Sequence, residues 1–174
     1  FLFDQNACTS PHLVVWLGSR KNVSTCKELF WEKLRTIANE RYEIQGTQAV
    51  DKLTNYFSQT VQVKEISLKN SGDNLIWRVE LKELSKDIEN FRCSSGYFSE
   101  YHADGLSDLS TIVNSKYQTL AYYGFSEAEL YEFVVHEKLS GIDRVVPIGR
   151  TSDFSLVWDG YNLIEALSRK VEII

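Results

Sequence analysis

The chain has 174 residues with 43% hydrophobic and 25% charged side chains, the balance of a soluble globular protein. A net charge of −5 and a pI near 5.3 argue against nucleic acid or an anionic membrane as the main partner. No apolar run approaches the ~20 residues of a membrane span, and no signal-like segment is visible.

The first dozen residues form an unusual stretch. Phe1-Leu2-Phe3 is an aromatic lead-in to Asp4-Gln5-Asn6-Ala7-Cys8-Thr9-Ser10-Pro11-His12, which is rich in turn formers. Backbone made irregular in this way can turn amide N–H groups toward a sulfur instead of closing a ladder, and such donors favour the reactive thiolate. Leu13-Val14-Val15-Trp16-Leu17, ended by Gly18, reads as a strand buried on both faces. Thr25-Cys26-Lys27-Glu28 fits a capping box. Cys26, Phe30, Leu34 and Ile37 then fall on one helical face, which makes Cys26 a core residue.

Thr47 is expected to cap a second helix, with Val50, Leu53 and Phe57 as its buried stripe. Val61 to Leu68 reads as a strand, Asn70-Ser71-Gly72-Asp73 as a turn and Leu75 to Leu81 as a second strand. That pair predicts an antiparallel hairpin. Residues 85 to 96 have loop composition, and Arg92 is noted there because scaffolded loops often carry function. Tyr97 to Tyr101 is a short aromatic strand, and Ser107 caps a short helix through Val113. Gln118 to Gly124 is a strand, and Ser126-Glu127-Ala128-Glu129 is a second capping box, opening a helix with Leu130, Phe133 and Val134 inward. Gly141 is the expected C-cap. Arg144 to Ile148 is a strand whose Pro147 marks an edge or an end. Asp159 caps a closing helix with Leu163, Ile164 and Leu167 as its stripe.

From Leu106 onward, helix, strand, helix, strand and helix alternate with short loops, which predicts β-α-β units and a mainly parallel sheet covered on both faces. Residues 1–174 carry no repeat or linker, so one domain is expected. The chain does not begin with methionine and contains none, which suggests a piece of a longer polypeptide.

The available chemistry centres on Cys8. Its separation from Cys26 and Cys93 excludes CxxC motifs and a disulfide framework, and a reducing, cytoplasmic compartment follows. There is no GxGxxG, Walker loop, HExxH or GxSxG. His12, His102 and His136 have no metal-ligand spacing, and no metal site is expected. His136 is expected to be solvated. His12 lies four residues from Cys8, and a Cys–His pair can form a thiolate–imidazolium nucleophile. Pro11 biases Ser10 away from helical geometry and works against that contact.

Phe3-Asp4-Gln5-Asn6-Ala7-Cys8-Thr9-Ser10-Pro11 resembles the catalytic-cysteine segment of the LuxC-type acyl-CoA reductases, the fatty acid reductases within the aldehyde dehydrogenase superfamily. A second resemblance runs through Gly141 to Arg150, Asp153-Phe154, Trp158 to Tyr161 and Leu167-Ser168-Arg169. The middle, from about residue 43 to 115, contributes little. The resemblance implies an α/β fold with a three-layer αβα catalytic domain. It implies NADPH-dependent reduction of an acyl-CoA or acyl-protein thioester to an aldehyde, through an acyl group carried on Cys8. It also implies an acyl-protein synthetase or acyltransferase partner and self-association. In this picture the Cys8 amide stabilises the oxyanion, with help from the side-chain dipoles of Gln5 or Asn6.

The superfamily's nicotinamide domain lies upstream of its cysteine, and no counterpart is present in this chain. Glu89-Asn90-Phe91-Arg92 is only a distant echo of the element that grips the cofactor ribose, so no cofactor residues are assigned. Two other readings fit the same residues: a CoA-acylating aldehyde dehydrogenase running oxidatively, and a non-catalytic domain that keeps the fold.

Overall fold

The computed structural model describes residues 1–70 and 72–173. Ser71, the second residue of the expected Asn70-Ser71-Gly72-Asp73 turn, lies outside them. The chain is mixed α/β and divides into two compact units, Phe1–Ile112 and Val113–Ile174.

The first unit is built on a four-stranded sheet. Its strands are β1 (Leu13–Leu17), β2 (Ser67–Asn70), β3 (Trp77–Glu80) and β4 (Tyr97–Ala103), in the order β1-β4-β3-β2. β4 runs parallel to both β1 and β3, while β2 and β3 form the expected antiparallel hairpin. Two long helices join β1 to β2: α1 (Arg20–Arg41) and α2 (Gly46–Gln62).

Side chains alternate across a strand, and β4 uses the alternation to seat a helix on each face. Trp31 of α1 packs on Phe98 with ring centroids 5.0 Å apart and donates to Glu100 at 2.8 Å. On the opposite face, Gln59 of α2 accepts from the Tyr97 hydroxyl at 2.6 Å and donates to Ser99 Oγ at 3.3 Å. The apolar core on the α1 side is Trp31, Ala38, Leu75, Ile76 and Phe98, with Phe1, Val14, Trp16, Leu34 and Tyr42 packed around it.

A buried carboxylate organises that face. Glu100 is fully buried and accepts from the indoles of Trp16 and Trp31, both at 2.8 Å, and from Arg78 Nε at 2.7 Å. Lys27 Nζ lies 3.3 Å from it and also donates to Glu80. Arg78 grips Glu28 with its two remaining guanidinium nitrogens, at 3.0 and 3.1 Å. Charge-assisted bonds of this kind offset the desolvation of a buried charge only when its lone pairs are filled. Here four donors from α1, β1 and β3 fill them.

Both long helices differ from the expectation. α1 begins at Arg20 and not after Thr25, because Ser19 accepts from the Asn22 N–H. Its inward face is Val23, Trp31 and Ala38; Cys26 is exposed, as are Phe30 and Ile37. The stripe is shifted by one position because the Trp31 indole must reach Glu100. In α2 the face is inverted. Lys52 and Gln59 are completely buried, whereas Val50, Leu53, Phe57 and Val61 are exposed. The polar stripe turns inward because it meets strand hydroxyls and loop carbonyls that need hydrogen bonds. α2 also continues to Gln62, so the strand expected from Val61 begins only at Ser67.

The second unit holds a parallel pair, β5 (Gln118–Tyr122) and β6 (Ile142–Pro147), joined through α3 (Glu127–His136). The Ser126/Glu129 capping box is present, and Leu130 and Phe133 are buried as expected. α3 ends before Gly141: Glu137 is its C-cap, and Lys138 supplies the left-handed residue. Residues Leu106–Thr111 form a 3-10 turn where a short helix was expected. A two-stranded ribbon, β7 (Val157–Trp158) and β8 (Tyr161–Asn162), precedes a single turn, α4 (Leu163–Ala166). Asn162, not Asp159, caps that turn, and Ile164 and Leu167 are exposed. Among the described residues no helix is long and apolar enough to cross a membrane.

Candidate active site

The segment before Cys8 runs in a conformation that L-residues avoid. Phe3, Asp4 and Gln5 have φ of 52°, 54° and 65°, and a left-handed residue with a Cβ costs roughly 1–2 kcal/mol. Such strain persists only where the surroundings over-determine the backbone. The Asn6 N–H closes this stretch on Phe3 O at 2.9 Å. A second turn follows directly, with Ser10 N–H on Ala7 O at 2.9 Å. Cys8 is therefore one of the two central residues of a hydrogen-bonded turn. It is exposed, and its thiol has no hydrogen-bond partner among the described residues.

The turn is held from below by the loop leading into β4. Ser95 N–H donates to Asp4 O at 2.8 Å, and Gly96 N–H donates to Gln5 Oε1 at 2.8 Å. Gln5 Nε2 donates to Pro11 O at 2.8 Å and to Tyr97 O at 3.0 Å. Ser95 and Gly96 are themselves left-handed, at φ 62° and 91°. A Cβ on Gly96 would lie 2.1 Å from Leu75 O and 2.7 Å from the Phe1 ring, so only glycine fits. Two strained loops are thus clasped face to face.

α2 supports the clasp. Lys52 Nζ donates to Ser95 O at 2.8 Å, to Leu75 O at 3.5 Å and to Asn74 O. Burial pulls its pKa down to about 8. Asn55 Nδ2 donates to Phe91 O at 3.0 Å. The Tyr42 hydroxyl donates to the Asp4 carboxylate at 2.7 Å, and the Phe1 ring packs on Tyr42 and Phe98.

Asn6 and His12, which flank the turn, line a cavity of about 430 Å³ together with Arg92, Cys93 and Ser94; Cys8 is not among its lining residues. It brings together two residues singled out in the sequence, Asn6 and His12, with the loop arginine noted there. His12 Nδ1 is 3.1 Å from Cys93 O. A carbonyl only accepts, so Nδ1 carries the proton, and in the neutral ring Nε2 keeps its lone pair. Burial first, and then the Arg92 guanidinium, push the His12 pKa down to about 4 against the pull of the Cys93 carbonyl. The ring is neutral at pH 7, so the site does not hold the imidazolium of a thiolate–imidazolium pair. Burial pushes the Cys93 thiol up, which disfavours its thiolate.

The oxyanion expectation changes in one respect. Both Gln5 N–H groups are spent on backbone carbonyls, so its dipole is not free to meet a developing oxyanion. Asn6 is exposed and faces the cavity. Elsewhere, His102 Nε2 meets Gly18 O at 2.8 Å, and His136 is solvated as expected, its side chain 81% exposed. Sequence reasoning missed the buried roles of Gln5 and Lys52. Their partners lie up to 92 and 43 residues away, and no local pattern marks them. Among the described residues no group of three or more His, Cys, Asp or Glu is arranged to hold a metal ion.

No curated protein matches the chain at a significant level. The family model described as acyl-CoA reductase (LuxC) matches residues 1–170, which takes in the clasped turn, the cavity and nearly all of the second unit. The chain belongs to the acyl-CoA reductase (LuxC) family.

Proposed function

We propose that this chain is the thiol-bearing catalytic part of an NADPH-dependent reductase that converts an acyl-CoA, or another acyl thioester, to an aldehyde through an acyl group on Cys8. The observation that carries the reading is the site of Cys8. It is exposed in a turn fixed at both ends, and Asn6 and His12, which flank that turn, line a polar cavity with Arg92. The helices on the two faces of the first sheet favour an aldehyde-dehydrogenase-like three-layer arrangement.

In the acyl-transfer step the Cys8 thiolate attacks the thioester carbonyl carbon. The bond from that carbon to the carrier sulfur breaks, and the carrier leaves as a thiolate that takes up a proton. Attacking and leaving sulfurs of similar basicity make the exchange nearly balanced. The Cys8 N–H and the Asn6 side chain are the donors assigned to the oxyanion. Neutral His12, with its Nε2 lone pair, is a proton acceptor at the cavity wall.

NADPH is the hydride donor that the family implies. The starts of α1, α2 and α3 offer its phosphates no open cradle: they are capped by Ser19, by the Gln45/Gln48 pair and by Ser126, and Glu129 adds an acidic group to the last. No step is assigned to cofactor-binding residues of this chain.

The test is labelling with a radioactive or mass-tagged acyl-CoA, followed by peptide mapping. One acyl group is expected on Cys8, and Cys8→Ala removes it. Equal labelling of Cys26 or Cys93 sinks the assignment.

A further inference from the structure

Gln5 is a fully buried side chain in a segment that otherwise reads as surface turn. A carboxamide offers two N–H donors and one carbonyl acceptor toward three partners. At Gln5 those partners are Pro11 O, Tyr97 O and Gly96 N–H. Two carbonyls and one amide fix which end of the carboxamide is oxygen and which is nitrogen, so the orientation is forced. Residues 5 to 11 thus form a short loop whose two ends are tied by one side chain, and Cys8 sits in the middle of it.

The same side chain ties that loop to the start of β4. Its own backbone is left-handed, as is that of its partner Gly96. Local propensity opposes the left-handed backbone at Gln5 and at Ser95, the residue before Gly96, and the carboxamide helps hold it. Other side chains do not reproduce the three bonds. A glutamate places an anion against two carbonyl oxygens, asparagine is one methylene short, and methionine donates nothing.

We propose that Gln5 is the positioning residue of the nucleophile: it touches no substrate, but its carboxamide sets where Cys8 stands for attack on the thioester. The proposal rests on the reading of Cys8 as the acyl acceptor. Misplacing a reacting group by about 1 Å can cost about a hundredfold in rate without any lost contact to substrate. A purely structural glutamine would instead lower stability and leave the reaction of folded molecules intact.

The experiment compares the full chain with Gln5→Met and Gln5→Glu. It reads Cys8 acylation over a range of acyl-CoA concentrations, Cys8 alkylation by iodoacetamide, and the urea unfolding midpoint. For folded Gln5→Met, the saturating acylation rate is expected to fall about a hundredfold. The half-saturating concentration and the alkylation rate are expected to stay within about threefold, because a small alkylator needs no fixed pose. Gln5→Glu supplies a readout that instability alone does not move. Protonating its buried carboxyl restores one donor, so its acylation rate relative to wild type rises as pH is lowered from about 8 to about 6, while the Gln5→Met ratio stays flat.

Wild-type-like acylation by folded Gln5→Met overturns the inference. So does a loss of acylation and alkylation in step with loss of fold, or failure of both variants to unfold cooperatively, since each makes Gln5 a folding residue only. Absence of acylation in the wild type is a different result. It removes the nucleophile reading itself, and this inference with it.

Discussion

Two fully buried polar side chains, Glu100 and Gln5, hold opposite ends of the same strand environment in opposite ways. Glu100 sits in regular β4 backbone, and its cost is the desolvation of a charge. Two indoles, a guanidinium and an ammonium offset that cost. Gln5 carries no charge, and its cost lies in a left-handed backbone, offset by three neutral hydrogen bonds. The carboxylate joins α1, β1, β3 and β4 into one body. The carboxamide joins only the Cys8 loop to the start of β4. Charge is spent where the scaffold must not move, and neutral bonding with strained backbone is kept where a thiol must be presented. Damage to the first should therefore be global, and damage to the second local.

The largest effect expected from breaking this contrast is at Glu100. Glu100→Ala leaves Arg78 and Lys27 without their buried counter-ion, and removal of one partner of such a network costs about 3–5 kcal/mol. Urea unfolding should show the unfolding free energy falling by that amount, with alkylation of Cys8 in the remaining folded fraction little changed. Preserved stability would mean that the network is ornamental.

Gly96→Ala strikes the clasp from the β4 side. Its Cβ would stand 2.1 Å from the Leu75 carbonyl oxygen, backbone that cannot swing away, at a φ that already disfavours alanine. A cost of about 1–3 kcal/mol is expected, with a loss of Cys8 acylation out of proportion to the stability change. A variant that loses stability but keeps full acylation would uncouple the clasp from the site.

The smallest effect is at His12. Its pKa of about 4 in the folded chain lies below the ordinary value of 6.5. Between those pH values the unfolded chain binds a proton that the folded chain does not. Its stabilising contribution is complete above pH 6.5 and is lost as pH falls toward 4. A slope worth about 1–2 kcal/mol is expected in wild type and should disappear in His12→Gln, as measured by unfolding midpoints across that window. An unchanged slope would place the titrating group elsewhere.

Much of the fold can be read from local pattern, and the exceptions share one cause. β1, the hairpin of β2 and β3, the aromatic β4 and the boxed start of α3 are each specified by residues within a few positions of one another. The inward face of α2 is not. Periodicity identifies a polar stripe and an apolar stripe, and it takes the backbone carbonyls of Asn74, Leu75 and Ser95 to turn the polar one inward at Lys52. Trp31 displaces Cys26 from the inner face of α1 for a similar reason, because its partner Glu100 is 69 residues away. At the site, the turn formers around Cys8 are visible in the sequence, as is the His12 neighbour. The left-handed run through bulky Phe3 is not, since nothing in Phe3-Asp4-Gln5 favours it without Ser95 and Gly96. Nor is the cavity, which joins Asn6 and His12 to Arg92, Cys93 and Ser94, far along the chain.

The left-handed clasp also bears on the order in which this chain assembles. Phe3 to Gln5 gain nothing from adopting their final angles until Gly96 and Tyr97 are in place, and those partners are 91 and 92 residues distant. The β1–β4 pairing closes a loop of similar length, but onto relaxed strand backbone; the clasp must also take up left-handed strain. The Cys8 turn is therefore expected to form after the sheet and to open before it. Hydrogen exchange at the Gly96 amide, which bonds to a side chain and not to a strand, would then time the arrival of a competent nucleophile separately from the arrival of the fold.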